Sequence, residues 1–345
     1  MQPLQHWRKE PGPRLAGSRD LDLSKLQAPC ITAIPGGGYR LFYTAVGPAK
    51  PFVDCQGYLL SAISDDGVVF RTEPGIRLAP RPELPHMSLR LIAATVTAAG
   101  DGGWRMYFEA RGTADRPTVI CSASSRDMFH WKHEPGIRLH AKGNLGGPRY
   151  VPLPEGGGRL YCFRAVTDGA GERRSQHVVS AGSTNGLNFC LDSGVRLADR
   201  SSDLDSIGIT AAEVIPPPSA GAPWTMVYSA WQEPPADSEV PLHPSQDIDA
   251  IASGSSADFA AASIAADIAG YRSRIFTATS PDGLSWTRSG CALEGSGYGS
   301  DELDAVHAED MTLIEIQPGI YRMYYAACDR HGRWSIASAV SAEGE

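Results

Sequence analysis

Short apolar runs, separated by glycine, proline and polar turns, recur along most of this chain. One kind of run is rich in aromatic residues and ends in alanine. Its five copies occupy residues 40–45, 105–110, 160–165, 225–230 and 322–327. Aromatic and β-branched residues favour extended backbone. The pattern therefore predicts a chain built mainly of β-strands.

A nine-residue phrase accompanies these runs. It reads WKHEPGIRL at 131–139 and FRTEPGIRL at 70–78, and it recurs more loosely as FCLDSGVRL at 189–197, WTRSGCAL at 286–293 and WRKEPGPRL at 7–15. Each internal copy follows a serine-rich run and a turn, such as SAISDDG at 61–67. Asp-Gly and Asn-Gly pairs are strong hairpin signals because such turns need positive φ. Each repeat therefore contains a strand, a tight turn and a further short strand.

A fourth, shorter apolar segment precedes each aromatic run. These segments start at residues 30, 92, 149, 211 and 310. Every repeat thus has four strands, which we name A, B, C and D in chain order, and we number the repeats as units 1 to 5. Repeated four-stranded sheets are typical of propeller blades. The sequence predicts an all-β fold, a five-bladed β-propeller with four-stranded antiparallel blades.

The two ends of the chain complete each other in this scheme. Unit 5 stops after its third strand, at 335–340, and the orphan phrase at 7–15 supplies the missing strand D. This pairing closes the ring and leaves no long open sheet edge. An open series of β-hairpins is the alternative, but it does not explain why the chain begins within a repeat. We therefore predict one propeller domain over residues 1–345.

The loop between strands B and C of unit 4 is an outlier in length, at about 233–271. It contains an alanine-rich stretch at 255–269 that is typical of a short helix and is followed by Gly270. Long insertions in compact domains are usually functional or disordered. We predict a lid over the channel mouth, with a surface excursion as the alternative.

Composition narrows the class of partner. The 345 residues carry a net charge of −8 without a basic run, which argues against nucleic acid or an anionic membrane. No apolar run approaches the ~20 residues of a membrane span. The N-terminus lacks the features of a signal peptide, which predicts a cytoplasmic protein. Seven cysteines without a CxxC spacing suggest buried free thiols.

Propeller geometry places ligands at the mouth of the central channel, where the A strands start and the B strands end. The carboxylates that the sequence offers there are Glu109, Glu213, Glu309 and Asp310. The basic and imidazole candidates are Arg90, Arg149, Arg164 and His307. The sequence therefore predicts a small-molecule site with several acids.

The four-stranded units, together with hairpins of the form Ser-x-Asp-Gly-x-x-Trp, resemble the five-bladed propeller glycosidases. This superfamily includes the arabinanase/xylosidase, invertase and levansucrase groups and the related mannoside phosphorylases. The resemblance implies acids at the channel mouth: a nucleophile or base, a general acid and a third carboxylate that orients them. Glycosidic cleavage needs such a carboxyl pair. On this basis Asp310 is assigned as base or nucleophile and Glu213 as general acid, with Glu109 or Glu309 in support.

The remaining candidates are assigned to binding. Arg149 and Arg164 are expected to bind hydroxyl or carboxylate groups of the ligand, and His307 and Arg90 to line the substrate site. A structural role stays open for each of them, such as an ion pair between Glu109 and a nearby arginine. No spacing of His and Asp indicates a metal site, and no cofactor is implied.

The sequence departs from the superfamily pattern at one important point. An Asp-Pro pair typically opens the first A strand of these enzymes, whereas this chain has Ala28-Pro29-Cys30. The nearest acidic start is Glu309-Asp310 in unit 5. Three readings therefore stay open: a glycosidase-type enzyme on a small glycoside, a propeller reused for cyclisation, elimination or isomerisation of a biosynthetic metabolite, and a non-catalytic binding propeller. The sequence does not fix the oligomeric state.

Overall fold

The structure is a computed structural model, and it describes residues 4–113, 115–154, 156–167, 174–199, 207–233 and 272–342. Within these ranges the chain forms β-strands that follow the predicted A-to-D order. The A strands are β3 (Lys25–Ala33), β7 (Arg90–Ala98), β11 (Asn144–Pro152), β15 (Gly208–Ile215) and β19 (His307–Gln317). The B strands are β4 (Tyr39–Val46), β8 (Trp104–Arg111), β12 (Gly158–Thr167), β16 (Trp224–Gln232) and β20 (Ile320–Cys328).

The C and D strands complete the units. The C strands are β5 (Tyr58–Ser64), β9 (Val119–Ser125), β13 (Arg174–Ser183), β17 (Arg272–Ser280) and β21 (Trp334–Ser341). The D strands are β6 (Arg71–Thr72), β10 (Lys132–His133), β14 (Cys190–Leu191) and β18 (Thr287–Leu293), and the N-terminus adds β1 (Trp7–Lys9) and β2 (Leu15–Ala16). No helix of the described residues could span a membrane.

Antiparallel pairing organises the strands into sheets of A, B, C and D in order. Units 1, 2 and 3 each form a separate four-stranded sheet. Units 4 and 5 belong to one nine-stranded sheet, in which a single parallel pair, Ser273 with His307, joins β17 to β19. On either side of that pair all neighbouring strands are antiparallel.

The predicted union of the two chain ends is confirmed. Strand β1 pairs with β21 in the register Trp7 with Ser341, and β2 pairs with the same strand through Leu15 and Ile336. The A strands contact one another in cyclic order, from β3 through β7, β11, β15 and β19 and back to β3. The A strands therefore surround a common axis.

The core lies between neighbouring units. Phe42 of unit 1 packs in one buried cluster with Phe108 and Met106 of unit 2, and Leu41 packs in another with Tyr324 of unit 5. Because each unit buries a face against the next, the apolar faces of the sheets cover one another within the described residues.

The arginine of the recurring phrase bridges adjacent units. In Arg14, Arg77, Arg138 and Arg196 the side chain turns back to a carbonyl two or three residues earlier in its own phrase and also reaches the hairpin turn of the next unit. Arg138, for example, donates from Nη1 to the carbonyl of Leu187 over 3.2 Å. The phrase of unit 4 has Ala292 at this position. The recurring phrase thus holds neighbouring units together, in addition to forming a strand.

Replacing Arg138 with Ala is expected to lower the free energy of unfolding by about 1–3 kcal/mol, because carbonyls of two units lose a charged donor. Urea denaturation of the whole chain measures this. Arg126→Ala is the matched control, since its side chain is 72% exposed in the same unit, and it should cost about 0–1 kcal/mol. Equal effects of the two variants would contradict the bridging role.

All seven cysteines are free, but Cys190 and Cys291 are exposed, so the expectation of buried thiols is wrong for these two residues. The predicted lid at 233–271 lies outside the described residues except at Glu233.

Candidate active site

A cavity of about 490 Å³ lies where the five A strands start, and residues from all five units line it. Each A strand carries a one-residue β-bulge at this level. The extra residue of each bulge lines the cavity; these residues are Ala28, Ala93, Gly147, Thr210 and Asp310. A bulge re-aims the side chain of the extra residue. In unit 5 the residue that is aimed into the cavity is the acid Asp310.

Four of the five bulges share one backbone conformation. Ala28, Ala93, Gly147 and Asp310 all have φ between 50° and 55°. Left-handed backbone is unusual outside glycine, yet two alanines adopt it here. The conformation of Asp310 is therefore a property of the repeated bulge and does not by itself mark catalysis.

Side chains at the ends of the B strands support the bulge of the next unit. The amide of Ala93 donates to Oγ1 of Thr44 over 3.0 Å, and the amide of Asp310 donates to Oγ of Ser229 over 3.0 Å. The carboxyl group of Glu109 accepts from the amide of Gly147 in the same way. Thr44, Glu109 and Ser229 thus hold the bulges of the next units, and Thr44 and Glu109 also line the cavity.

Glu309 and Asp310 form a carboxyl dyad at the cavity wall. Burial, followed by repulsion from Glu309, raises the pKa of Asp310 well above its usual range, and Arg149 and Lys25 oppose this only in part. Glu309 is 6% exposed, and its Oε2 accepts a hydrogen bond from Nε1 of Trp231 over 2.8 Å. Neighbouring acids do not both ionise readily, which favours the protonated form of Asp310.

Glu109 faces the dyad from unit 2. Its Oε1 pairs with Nη2 of Arg90 over 3.1 Å, and the side chain is 4% exposed. Burial raises the pKa of Glu109, while Arg90 and Arg111 oppose the shift. Glu109, Arg90 and Arg111 all line the cavity. The structure therefore brings together three of the four predicted carboxylates and one of the predicted arginines.

Glu213 and Arg149 form an ion pair that is not part of the cavity lining. Nε of Arg149 donates to Oε2 of Glu213 over 3.1 Å. The two terminal nitrogens donate to the carbonyls of Pro148 and Met311 over 3.0 and 3.3 Å. Burial raises the pKa of Glu213 against the pull of Arg149, although 20% of the side chain is accessible. Arg149 is 1% exposed, and each of its three side-chain nitrogens donates to the protein.

Arg164 and His307 also lie away from the cavity lining. Arg164 donates from Nε to Nε2 of His177 over 3.2 Å, on the strand face opposite to Phe163, which does line the cavity. His307 is fully buried, bonds through Nδ1 to the hydroxyl of Ser273 at 2.9 Å and stacks on Trp334. Nδ1 lies 3.9 Å from Oε2 of Glu309, so His307 stands behind the dyad.

Sequence reasoning missed several residues of the cavity wall. Lys25, Arg111, Phe163 and Trp231 are the charged and aromatic ones, and Gln27, Gln56, Asn144 and Gln176 supply amide groups. Arg111 and Trp231 directly follow the alanine that ends each aromatic run. The position after the alanine could have been predicted to line the cavity, because it shares a strand face with the residue before the alanine. Within the described residues, no group of three or more His, Cys, Asp or Glu could hold a metal ion.

The fold and the acid-lined cavity define the structural class to which the chain is similar. A β-1,2-mannobiose phosphorylase from Listeria innocua superposes with a TM-score of 0.67 at 12% identity, over 97% of this chain and 96% of that one. A thermostable family-43 glycoside hydrolase gives 0.62 at 13% identity, over 93% and 90%. A structure from the GH130 family of mannoside phosphorylases gives 0.65 at 12% identity, over 98% and 94%. No family model and no curated protein sequence matches the chain.

These similarities confirm the predicted resemblance at the level of fold. The chain has the β-propeller fold of glycoside hydrolases and mannoside phosphorylases over nearly its whole length. At identities of 12–13% the likeness concerns architecture. Similar folds host different chemistries, so a specific activity must be argued from the residues of the site.

Proposed function

We propose that the chain is a five-bladed β-propeller enzyme that cleaves a glycosidic bond in a small glycoside. Five units whose A strands meet in cyclic order support the blade count, with units 4 and 5 as separate blades joined by one parallel pair. The observation that carries the enzymatic proposal is the dyad of Glu309 and Asp310 in a cavity that also contains Glu109. Amide side chains and Trp231 suit a ligand with many hydroxyl groups.

The dyad suggests a revised division of roles. Asp310 was assigned from the sequence as base or nucleophile, but its raised pKa favours the protonated form and suits a general acid. Glu309, which accepts the indole N–H of Trp231, is the carboxylate that activates water or another acceptor. Glu109 is the third, supporting acid, held by Arg90. Glu213 and Arg149 act beneath the site as a structural pair.

Activity on a panel of aryl glycosides, with and without inorganic phosphate, tests this proposal. Glu309→Gln is expected to lower kcat by about 10²–10⁴-fold, the usual contribution of a positioned acid or base. Glu315→Gln on the same strand is the matched control, because Glu315 is exposed and bonds only to the nearby amide of Gly319 among its described contacts. A panel on which the wild type is inert, or an unchanged kcat in Glu309→Gln, would refute the proposal.

Acid–base chemistry without hydrolysis is the second candidate. It is supported by Ala28, which occupies the bulge of unit 1 where the glycosidases carry an acid. Cyclisation, elimination or isomerisation of a small metabolite would need only a proton donor and a carboxylate, which the dyad supplies. Incorporation of solvent deuterium into a product that contains no cleaved glycosidic bond would favour this candidate over hydrolysis.

A further inference from the structure

Strand β16 of unit 4 supports both acids of the dyad, although the two acids lie on β19 of unit 5. The amide of Asp310 donates to Oγ of Ser229 over 3.0 Å, and Nε1 of Trp231 donates to Oε2 of Glu309 over 2.8 Å. Ser229 and Trp231 are two residues apart, so their side chains lie on the same face of β16. One strand of the neighbouring unit therefore holds the backbone of one acid and the carboxyl group of the other.

The hydrogen bond from Trp231 makes the two acids unequal. An indole nitrogen can only donate, and an ionised carboxyl group can only accept, so the two groups match when Glu309 carries the charge. A donor bonded to a carboxylate oxygen favours the ionised form of the acid. Repulsion from Glu309 in turn favours the protonated form of Asp310. The contact therefore places the charge on Glu309 and the proton on Asp310.

Other titratable and charged groups also face the dyad. They are Lys25 of β3, Glu109 of β8, Arg149 of β11 and His307 of β19. The first three act on Asp310 through their charge. Nδ1 of His307 lies 3.9 Å from Oε2 of Glu309, which is beyond hydrogen-bonding distance. Of the two ring nitrogens near this oxygen, that of Trp231 is therefore the one that bonds to it.

We propose that Trp231 is the positioning residue that decides which acid of the dyad is ionised, because its N–H fixes one oxygen of Glu309 and favours the carboxylate. This inference rests on the proposed function, in which Glu309 is the carboxylate and Asp310 is the proton donor. It adds the group that assigns these two roles. Trp231 also lines the cavity, so the contact lies next to the place where a ligand would bind.

Proton–nitrogen correlation NMR of the full chain tests the contact without relying on turnover. The chain has seven tryptophans, and the indole peak that is absent from Trp231→Phe belongs to Trp231. In the wild type the proton shift of this peak should move upfield as pH falls and Glu309 takes up a proton. That acidic titration should disappear in Glu309→Gln. A Trp231 peak that does not titrate, or that titrates equally in Glu309→Gln, would overturn the proposal.

The pH profile of kcat tests the consequence for catalysis. Trp231→Phe keeps an aromatic ring but removes the donor, so the acidic limb should move to higher pH by about one to two units. Trp224→Phe is the matched control on the same strand, because its ring packs against the core between units 3 and 4 and is not part of the cavity lining. It should leave the limb in place. An acidic limb of Trp231→Phe at the wild-type pH would refute the role of Trp231.

Failure of this inference can be told from failure of the proposed function. If glycosides are cleaved and the acidic limb of Trp231→Phe stays in place, the proposed function stands and the role of Trp231 falls. If the Trp231 peak titrates with Glu309 while no glycoside is cleaved, the proposed function falls and the control of Glu309 by Trp231 stands.

Discussion

Asp310→Asn should lower kcat by about 10²–10⁴-fold while the protein stays folded. The asparagine fills the same volume and keeps the backbone amide that donates to Ser229, but it cannot donate a proton to a leaving group. Single-turnover kinetics on the best glycoside of the panel measures the effect. Asp301→Asn is the control, because its side chain is 87% exposed outside the cavity.

The pH dependence of wild-type activity should follow the protonation of Asp310. A general acid must be protonated, so activity is present below the pKa of Asp310 and is lost as pH rises through it. Burial and Glu309 raise that pKa, and therefore the alkaline limb should lie well above the usual range of a carboxyl group. Lys25 opposes the shift, so Lys25→Met should move the limb to still higher pH. A limb that stays in place would contradict the assignment of Asp310.

The unfolding free energy of Asp310→Asn tests the raised pKa of Asp310 independently of activity. Because the folded-state pKa is raised, the folded chain binds this proton more tightly than the unfolded chain. That contribution is complete below the ordinary value near 3.8 and is lost as pH rises through the raised pKa. Near neutral pH the substitution should therefore raise the unfolding free energy, by about 0.5–2 kcal/mol as is common for groups kept for function. A loss of stability would mean that Asp310 is a structural residue.

The sequence predicted the architecture well because the repeated residues themselves form the turns and the contacts between units. The aromatic runs mark the B strands to within one or two residues at either end. The orphan phrase at the N-terminus predicts the pairing of β1 and β2 with β21, because it has the same glutamate and arginine as other copies of the phrase. In unit 5 these two residues make contacts equivalent to those that the other copies make for their own units. Glu10 bonds to Arg322 at 2.9 Å just as Glu73 bonds to Arg40 at 2.8 Å.

The starts of the A strands could not be placed from the apolar pattern. They begin two to five residues earlier than predicted, as with Lys25 instead of Cys30. A one-residue bulge breaks the alternation of apolar and polar strand residues at the cavity. The polar residues before the bulge were therefore interpreted as part of a linker, although they are paired in the sheet. This is why Lys25 and Asn144, which are strand residues of the cavity wall, were not candidates.

Arg164 illustrates a shift by one position. Counting back from the alanine aligned Arg164 with Glu109, but the register pairs Tyr161 with Arg149 just as it pairs Tyr107 with Thr95. The structural equivalent of Glu109 is therefore Phe163. Since successive strand residues face opposite sides, a slip of one residue moved the prediction from the cavity to the neighbouring face.

Glu213→Gln should have the opposite consequence to Asp310→Asn and lower the unfolding free energy by about 3 kcal/mol or more. Arg149 is 1% exposed, and Glu213 is the carboxylate bonded to it, at 3.1 Å. A buried cation that loses its anionic partner keeps its full desolvation cost, whereas removal of both charges can be nearly neutral. Guanidinium chloride denaturation of the whole chain measures the change, and kcat should fall less than in Asp310→Asn.

A double-mutant cycle separates this explanation from simple loss of packing. Arg149→Met together with Glu213→Met should recover much of the stability lost in either single variant, because no unpaired charge remains. Glu294→Gln is the matched control: Glu294 pairs with Arg274, another arginine that is 1% exposed, but Glu294 itself is 57% exposed, so water can replace it. The control should cost about 0–1 kcal/mol. If Glu213→Gln is as mild as the control while abolishing turnover, Glu213 belongs to the chemistry, and the original assignment of Glu213 as general acid is the better one.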